Sequence, residues 1–137
     1  MACEPVRETA AMIAGMAPRL VPGEVAFVCL EGPEAAAALD EARALVRERE
    51  GATLVLPLEH PLCPAAAIPM RQITLEVPSA LDGVGLTAAV ASSLAAAGIA
   101  CNLIAGAHHD HVFVPAGRAD DAVAVLEARA AEAATPP

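Results

Sequence analysis

Aromatic side chains are almost missing from this chain, which has no tryptophan, no tyrosine, and Phe27 and Phe113 as its 2 phenylalanines in 137 residues. An interior built from it must be aliphatic, and stacking on nucleobases or sugars is excluded. Lysine is missing too: every basic residue is an arginine, and the net charge is −9. Division at Pro64 leaves an acidic excess on both sides, so neither half hides a basic face. Nucleic acid and anionic membrane are poor partners for such a surface. No apolar run reaches the length needed to span a bilayer. The opening MACEPVRETAAMIAGM puts acids ahead of its short apolar patch, unlike a secretion signal, and a cytoplasmic location is expected. Paired cysteine spacing is also missing. Cys3, Cys29, Cys63 and Cys101 are scattered, and Cys29 and Cys101 fall in predicted strands, where a reduced thiol packs as a small apolar group. Neither a G-x-S-x-G elbow, a P-loop nor a dinucleotide fingerprint occurs. The expectation is a protein that is not an enzyme and uses no cofactor.

What the chain does have is periodicity, most clearly from Arg71 to Pro115. Gln72 to Val77 alternates, with Ile73, Leu75 and Val77 on one face and Gln72, Thr74 and Glu76 on the other, which predicts a strand with one buried face. After the turn PSALDGVG the period changes. Leu86, Ala89, Val90, Leu94 and Ala97 recur at helical spacing, and Gly98 supplies a C-terminal stop. Ile99 to Ala105 and His111 to Val114 predict two further strands. A last helix runs from Arg118 to Ala133, with Asp120 and Asp121 at the positive end of its dipole. The order β-α-β-β-α is one strand short of the split βαβ ferredoxin-like unit.

The first half mixes elements on the same scale. Val6 to Met16 predicts a short helix ended by Pro18, Arg19 to Val21 a brief strand, and Pro22-Gly23 a turn. Val25 to Leu30 is a central strand, Glu34 to Arg49 a helix, and Thr53 to Leu58 another strand. His60 to Ala67, with two prolines and no period, reads as the linker, and the ending TPP as a frayed tail.

These residues resemble the ACT domain, a ligand-binding module attached to many amino-acid-metabolic enzymes. The resemblance rests on Gly85-Leu86, Ser93-Leu94-Ala95, Gly98-Ile99 and Asn102. It is denser still to small bacterial proteins made of two ACT-like units, through Ser79 to Ala91, Gly98 to Asn102, and His109-Asp110-His111-Val112-Phe113-Val114-Pro115. It implies an α+β fold of tandem ferredoxin-like βαββαβ units, with antiparallel sheets and helices on one face. The expected division is 1–66, a degenerate unit with its linker, and 67–137, the better-preserved unit.

Candidate chemistry gathers in three places. The loop Ser79, Asp82, Gly83, Val84, Gly85, Leu86 leads from a strand edge into a helix N-terminus, whose first N–H groups lack helical partners and suit a carboxylate. Gly83 and Gly85 would let a small ligand approach the backbone. Taken alone, Asp82 reads first as an N-cap. The resemblance implies instead an amino acid held against this loop at the interface between two units, with Asp82 set against its ammonium group; Asp82-Gly83 stands where that family pattern has Glu-Ala. Asn102, on the face opposite Ile99, Cys101 and Leu103, offers amide donors and an acceptor to the same ligand or to a neighbouring subunit. In the run His108 to His111, His109 and His111 point the same way in a strand and could share a metal ion, with Asp110 turned away. Two imidazoles fall short of the usual three or four zinc ligands, and a polar hairpin turn explains them equally well. By resemblance, His111 joins the ligand site or a dimer contact.

Together these features predict a non-catalytic sensor for a small amino acid or related carboxylate. It is expected to form a homodimer and to act on a partner enzyme or transporter. The alternatives are a metal-binding protein or enzyme built on His108 to His111, and a purely structural oligomerisation module.

Overall fold

The computed structural model describes residues 4–136, so Cys3 lies outside the described residues. In chain order the elements are α1 (Thr9–Ala14), β1 (Pro18–Leu30), α2 (Gly32–Ala38), β2 (Ala44–Glu48), β3 (Gly51–Pro57), β4 (Met70–Leu75), α3 (Leu86–Ala96), β5 (Asn102–Ala105), β6 (Asp110–Pro115) and α4 (Ala119–Ala134). The chain divides into two compact units: one joins the residues up to Val21 to those from Arg71 onward, and the other is Pro22–Met70.

In the first unit the sheet order is β1, β4, β6, β5, with the start of β1 at one edge. Arg71 Nη2 donates to the Val21 carbonyl at 3.1 Å and Glu76 N to that of Ala17 at 3.3 Å, so the two strands run antiparallel. This answers the strand that the pattern β-α-β-β-α lacked: the place of the last ferredoxin-like strand is filled from the N-terminal end of the chain. The expected division at 66/67 follows chain order, whereas this unit draws in the segment before Val21. Its core is aliphatic, as the composition requires. Ile73 and Leu75 of β4 and Val112 and Val114 of β6 pack under Leu86, Val90 and Leu94 of α3, Leu126 of α4, and Met12 and Ile13 of α1. Helix α1 begins where the Glu8 carboxylate accepts from Ala10 N at 3.0 Å and Ala11 N at 2.6 Å, satisfying two donors of its first turn. It is shorter than Val6 to Met16 because Val6 is used otherwise: it forms a parallel bridge with Ser79.

The second unit has the order β2, β3, β1, all antiparallel, with Ala26, Val28, Leu30, Leu54 and Leu56 packed against Ala38. Two expectations are corrected. Pro22-Gly23 is not a turn; β1 runs through it, and Gly23 absorbs the irregularity at φ 88°. The predicted helix Glu34 to Arg49 ends at Ala38, continues as one 3₁₀ turn over Leu39–Glu41, and gives way to strand β2. The alanines favour helix, but Leu45 and Val46 pair with Leu54 and Thr53 in a hairpin closed at Glu48 and Gly51. Cross-strand pairing overrides the local propensity.

Candidate functional site

Beyond β4 the chain turns through a loop before entering α3, and the N-terminal segment grips this loop along its length. Val6 N donates to the Pro78 carbonyl at 2.8 Å, and Ala80 N to that of Val6 at 2.9 Å. Arg7 pairs with Asp82, and Thr9 Oγ1 donates to the Val84 carbonyl at 2.6 Å. A Cβ added at Gly83 would lie 2.8 Å from Met12 Sδ, and one at Gly85 only 2.5 Å from Thr9 Cγ2. The two glycines therefore make room for α1 and the residues before it, rather than leaving open space for a guest on that side. Gly85, at φ 110°, is itself the N-cap of α3. Asp82 is neither the cap nor a free partner for a ligand amine, because its exposed carboxylate is taken by Arg7. Val84 is exposed.

Space remains next to this contact. A cavity of about 90 Å³ lies between Ser79, Met12, Leu86 and Thr87 on one side and Gly106 of the β5–β6 turn and Asp110 at the start of β6 on the other. Ser79 is buried, and its Oγ donates to Asp110 Oδ2 at 2.9 Å. Thr87 belongs to the first turn of α3, where backbone N–H groups lack helical acceptors. The cavity thus combines a helix start with a carboxylate. Asp110 was missed as a site residue. The signal lay in the alternation of β6, which puts Asp110 in one row with the buried Val112 and Val114, an acid at the end of an apolar row. Asp110 does turn away from the histidines, and toward this cavity.

His111 and Asn102 lie elsewhere. His111 faces the opposite side of β6, where its Nδ1 is 3.2 Å from Gln72 Nε2 and 3.0 Å from Thr74 Oγ1. The Gln72 atom in contact is the amide nitrogen, which only donates, so in this arrangement Nδ1 accepts, which matches a neutral ring protonated on Nε2. Burial pushes the His111 pKa down and His109 adds to the effect; Asp110 opposes it, Arg19 lowers it and Glu76 raises it. Gln72 and Thr74 are both buried, so β4 is covered on both faces and not on one, as the alternation had suggested. Asn102 is exposed and pairs across β5–β6 with Phe113, which puts it on the His111 side of the sheet. The candidate residues therefore divide. Ser79, Gly83 and Leu86 line the cavity, while Asn102 and His111 occupy the other face. His109 falls outside β6, and among the described residues no three His, Cys, Asp or Glu side chains are grouped to hold a metal ion.

A larger groove of about 680 Å³ lies in the second unit between α2 and the β2–β3 hairpin, lined by Leu39, Leu45, Arg47, Glu48 and Glu50. Its leucines and charged groups are exposed to solvent, which weakens every polar contact they offer. The smaller cavity, with its buried serine and paired carboxylate, is the better-formed site.

Two ACT domain family models match the chain, one over residues 67–128 and the other over 5–62. A protein of unknown function from Vibrio cholerae, described as a possible transport protein, is 37% identical, with a TM-score of 0.77 over 88% of this chain and 94% of its own. This chain belongs to the ACT domain family. Two more distant structures share the ACT fold. An Agrobacterium tumefaciens protein has a TM-score of 0.64 at 19% identity, covering 85% of this chain and 87% of its own. The regulatory subunit of aspartate kinase from Thermus flavus has a TM-score of 0.54 at 12% identity, covering 88% and 97%. No curated protein sequence matches the chain. Among the described residues no helix is long and apolar enough to cross a membrane.

Proposed function

We propose that this ACT protein is a non-catalytic regulator that binds a small α-amino acid or related carboxylate in the cavity beside Ser79 and Asp110. The observation that carries the reading is the juxtaposition of the Asp110 carboxylate with the start of α3 across one small cavity. An α-amino acid carries both charges. Its ammonium group suits Asp110, and its carboxylate suits the unpaired N–H groups and dipole of the helix start. Size agrees with this. About 90 Å³ equals roughly three water volumes, far below the several hundred Å³ that nucleotides and larger cofactors occupy. Asp110 thus takes the part that the sequence had given to Asp82.

Ser79 and Asp110 form a bonded hydroxyl–carboxylate pair in the wall, with no histidine beside them in the lining. In this reading the pair shapes and charges the cavity, and its use is binding rather than turnover. The proposed setting is a cytoplasmic homodimer acting on a partner enzyme or transporter. Support for self-association comes from β5, an edge strand of its unit that carries the exposed Asn102, since an open strand edge is a template for pairing.

A thermal-shift series across the amino acids tests the reading. A true ligand at a hundred times its dissociation constant adds about 2.7 kcal/mol of stability. Stabilisation by a small amino acid, abolished in Asp110→Asn, is the expected result. Indifference to every amino acid overturns it.

A further inference from the structure

We infer that Met12 of α1 sets the size limit of this cavity and restricts its guest to the smallest α-amino acids; the inference rests on the binding reading given above. Glycine, alanine, serine and leucine supply most of the wall, through Ser79, Ala80, Gly83, Leu86 and Gly106. Met12 is the long, unbranched member. It is 1% exposed, reaches the cavity from α1, and lies so close beneath the loop that Gly83 has no room for a Cβ. Loop and thioether are therefore in direct contact, and the reach of Met12 into the cavity is fixed from behind by the packing of α1 on α3 and α4 through Ile13 and Leu126. Ser79, Asp110 and the helix start hold the groups common to all α-amino acids. Discrimination among side chains falls to the apolar walls: Leu81 is exposed and Leu86 belongs to α3 itself, which leaves Met12 as the buried, unbranched wall brought in from another element. The residue comes from outside the stretch 67–128 that matches the ACT model over this site, so selectivity is imposed by the N-terminal segment.

Titration calorimetry with alanine and leucine, on the full chain and on Met12→Ala, Met12→Val and Met12→Leu, tests this. The wild type is expected to bind alanine and to reject leucine. Shortening the side chain should reduce the ratio of the two dissociation constants at least tenfold, while Met12→Leu, of similar volume, keeps the discrimination. Met12→Val serves the same purpose with a smaller cavity if Met12→Ala does not fold. A shortened variant that binds alanine with unchanged discrimination overturns the role of Met12 and leaves the binding reading standing. A wild type that binds no amino acid overturns both.

Discussion

Ser79 Oγ donates to Asp110 Oδ2 at 2.9 Å, tying the loop after β4 to the first residue of β6. One bond thereby fixes the two sides of the cavity and leaves the carboxylate acceptor positions not used by Ser79 for a guest. Replacing Ser79 with alanine removes a buried donor from a charged acceptor. The expected cost is about 1.5–3 kcal/mol in urea unfolding, together with weaker ligand binding as Asp110 loses its anchor. An unchanged midpoint would mean that the bond contributes nothing.

Gly85→Ala should be among the most damaging single changes in the loop. Its φ of 110° is hostile to any Cβ, and the added atom would meet Thr9 Cγ2 at 2.5 Å. Backbone strain of about 1–3 kcal/mol adds to the clash. Thr9→Ser deletes the offending methyl and keeps the hydroxyl that donates to the Val84 carbonyl. The double variant should therefore recover the clash but not the strain. Additive losses in the cycle would contradict the contact.

A fragment covering 67–137 is expected not to fold to a native-like state, although it contains the whole stretch that matches the ACT domain over this site. Without the first 21 residues it loses Met12, Ile13 and Met16 from the core, and the strand beside β4. Circular dichroism and proton NMR of the fragment check this. Sharp, dispersed methyl signals would contradict it.

Much of this organisation was legible in the sequence, and the failures have physical reasons. Leu86, Val90 and Leu94 declared α3 because it has one buried stripe, and Asp120 and Asp121 marked the start of α4. Leu45 and Val46 did not declare a strand, because β2 is short, lies at an edge, and follows an alanine run with strong helical preference. Nothing local reveals that Pro18 to Val21 pair with a strand 50 or more positions later in the chain. That pairing is a property of topology. The sequence singled out the candidate loop by its glycines, but not what those glycines make room for. Thr9 and Met12 fill that space, and the acid facing the cavity is Asp110, hidden by its place between two histidines.

Acid should destabilise the protein through His111. Its folded pKa lies below the ordinary 6.5, so the unfolded chain takes up a proton more readily than the native one. Stability is complete above about 6.5 and is lost as pH falls through the lower folded value. The imidazole should titrate below 6.5 by NMR, and His111→Gln should flatten the decline in urea midpoint between neutral and mildly acidic pH. Glu76, held below its usual range by Arg19, contributes acid sensitivity of the same sign at lower pH still. A His111 titration at or above 6.5 would remove the explanation.

The most direct measurement is an amide chemical-shift map of the protein titrated with alanine. The account predicts saturable shifts centred on Ser79, Thr87, Gly106 and Asp110, absent in Asp110→Asn. Shifts centred instead on Asn102 or on the groove near Arg47, or none at millimolar alanine and glycine, would contradict it.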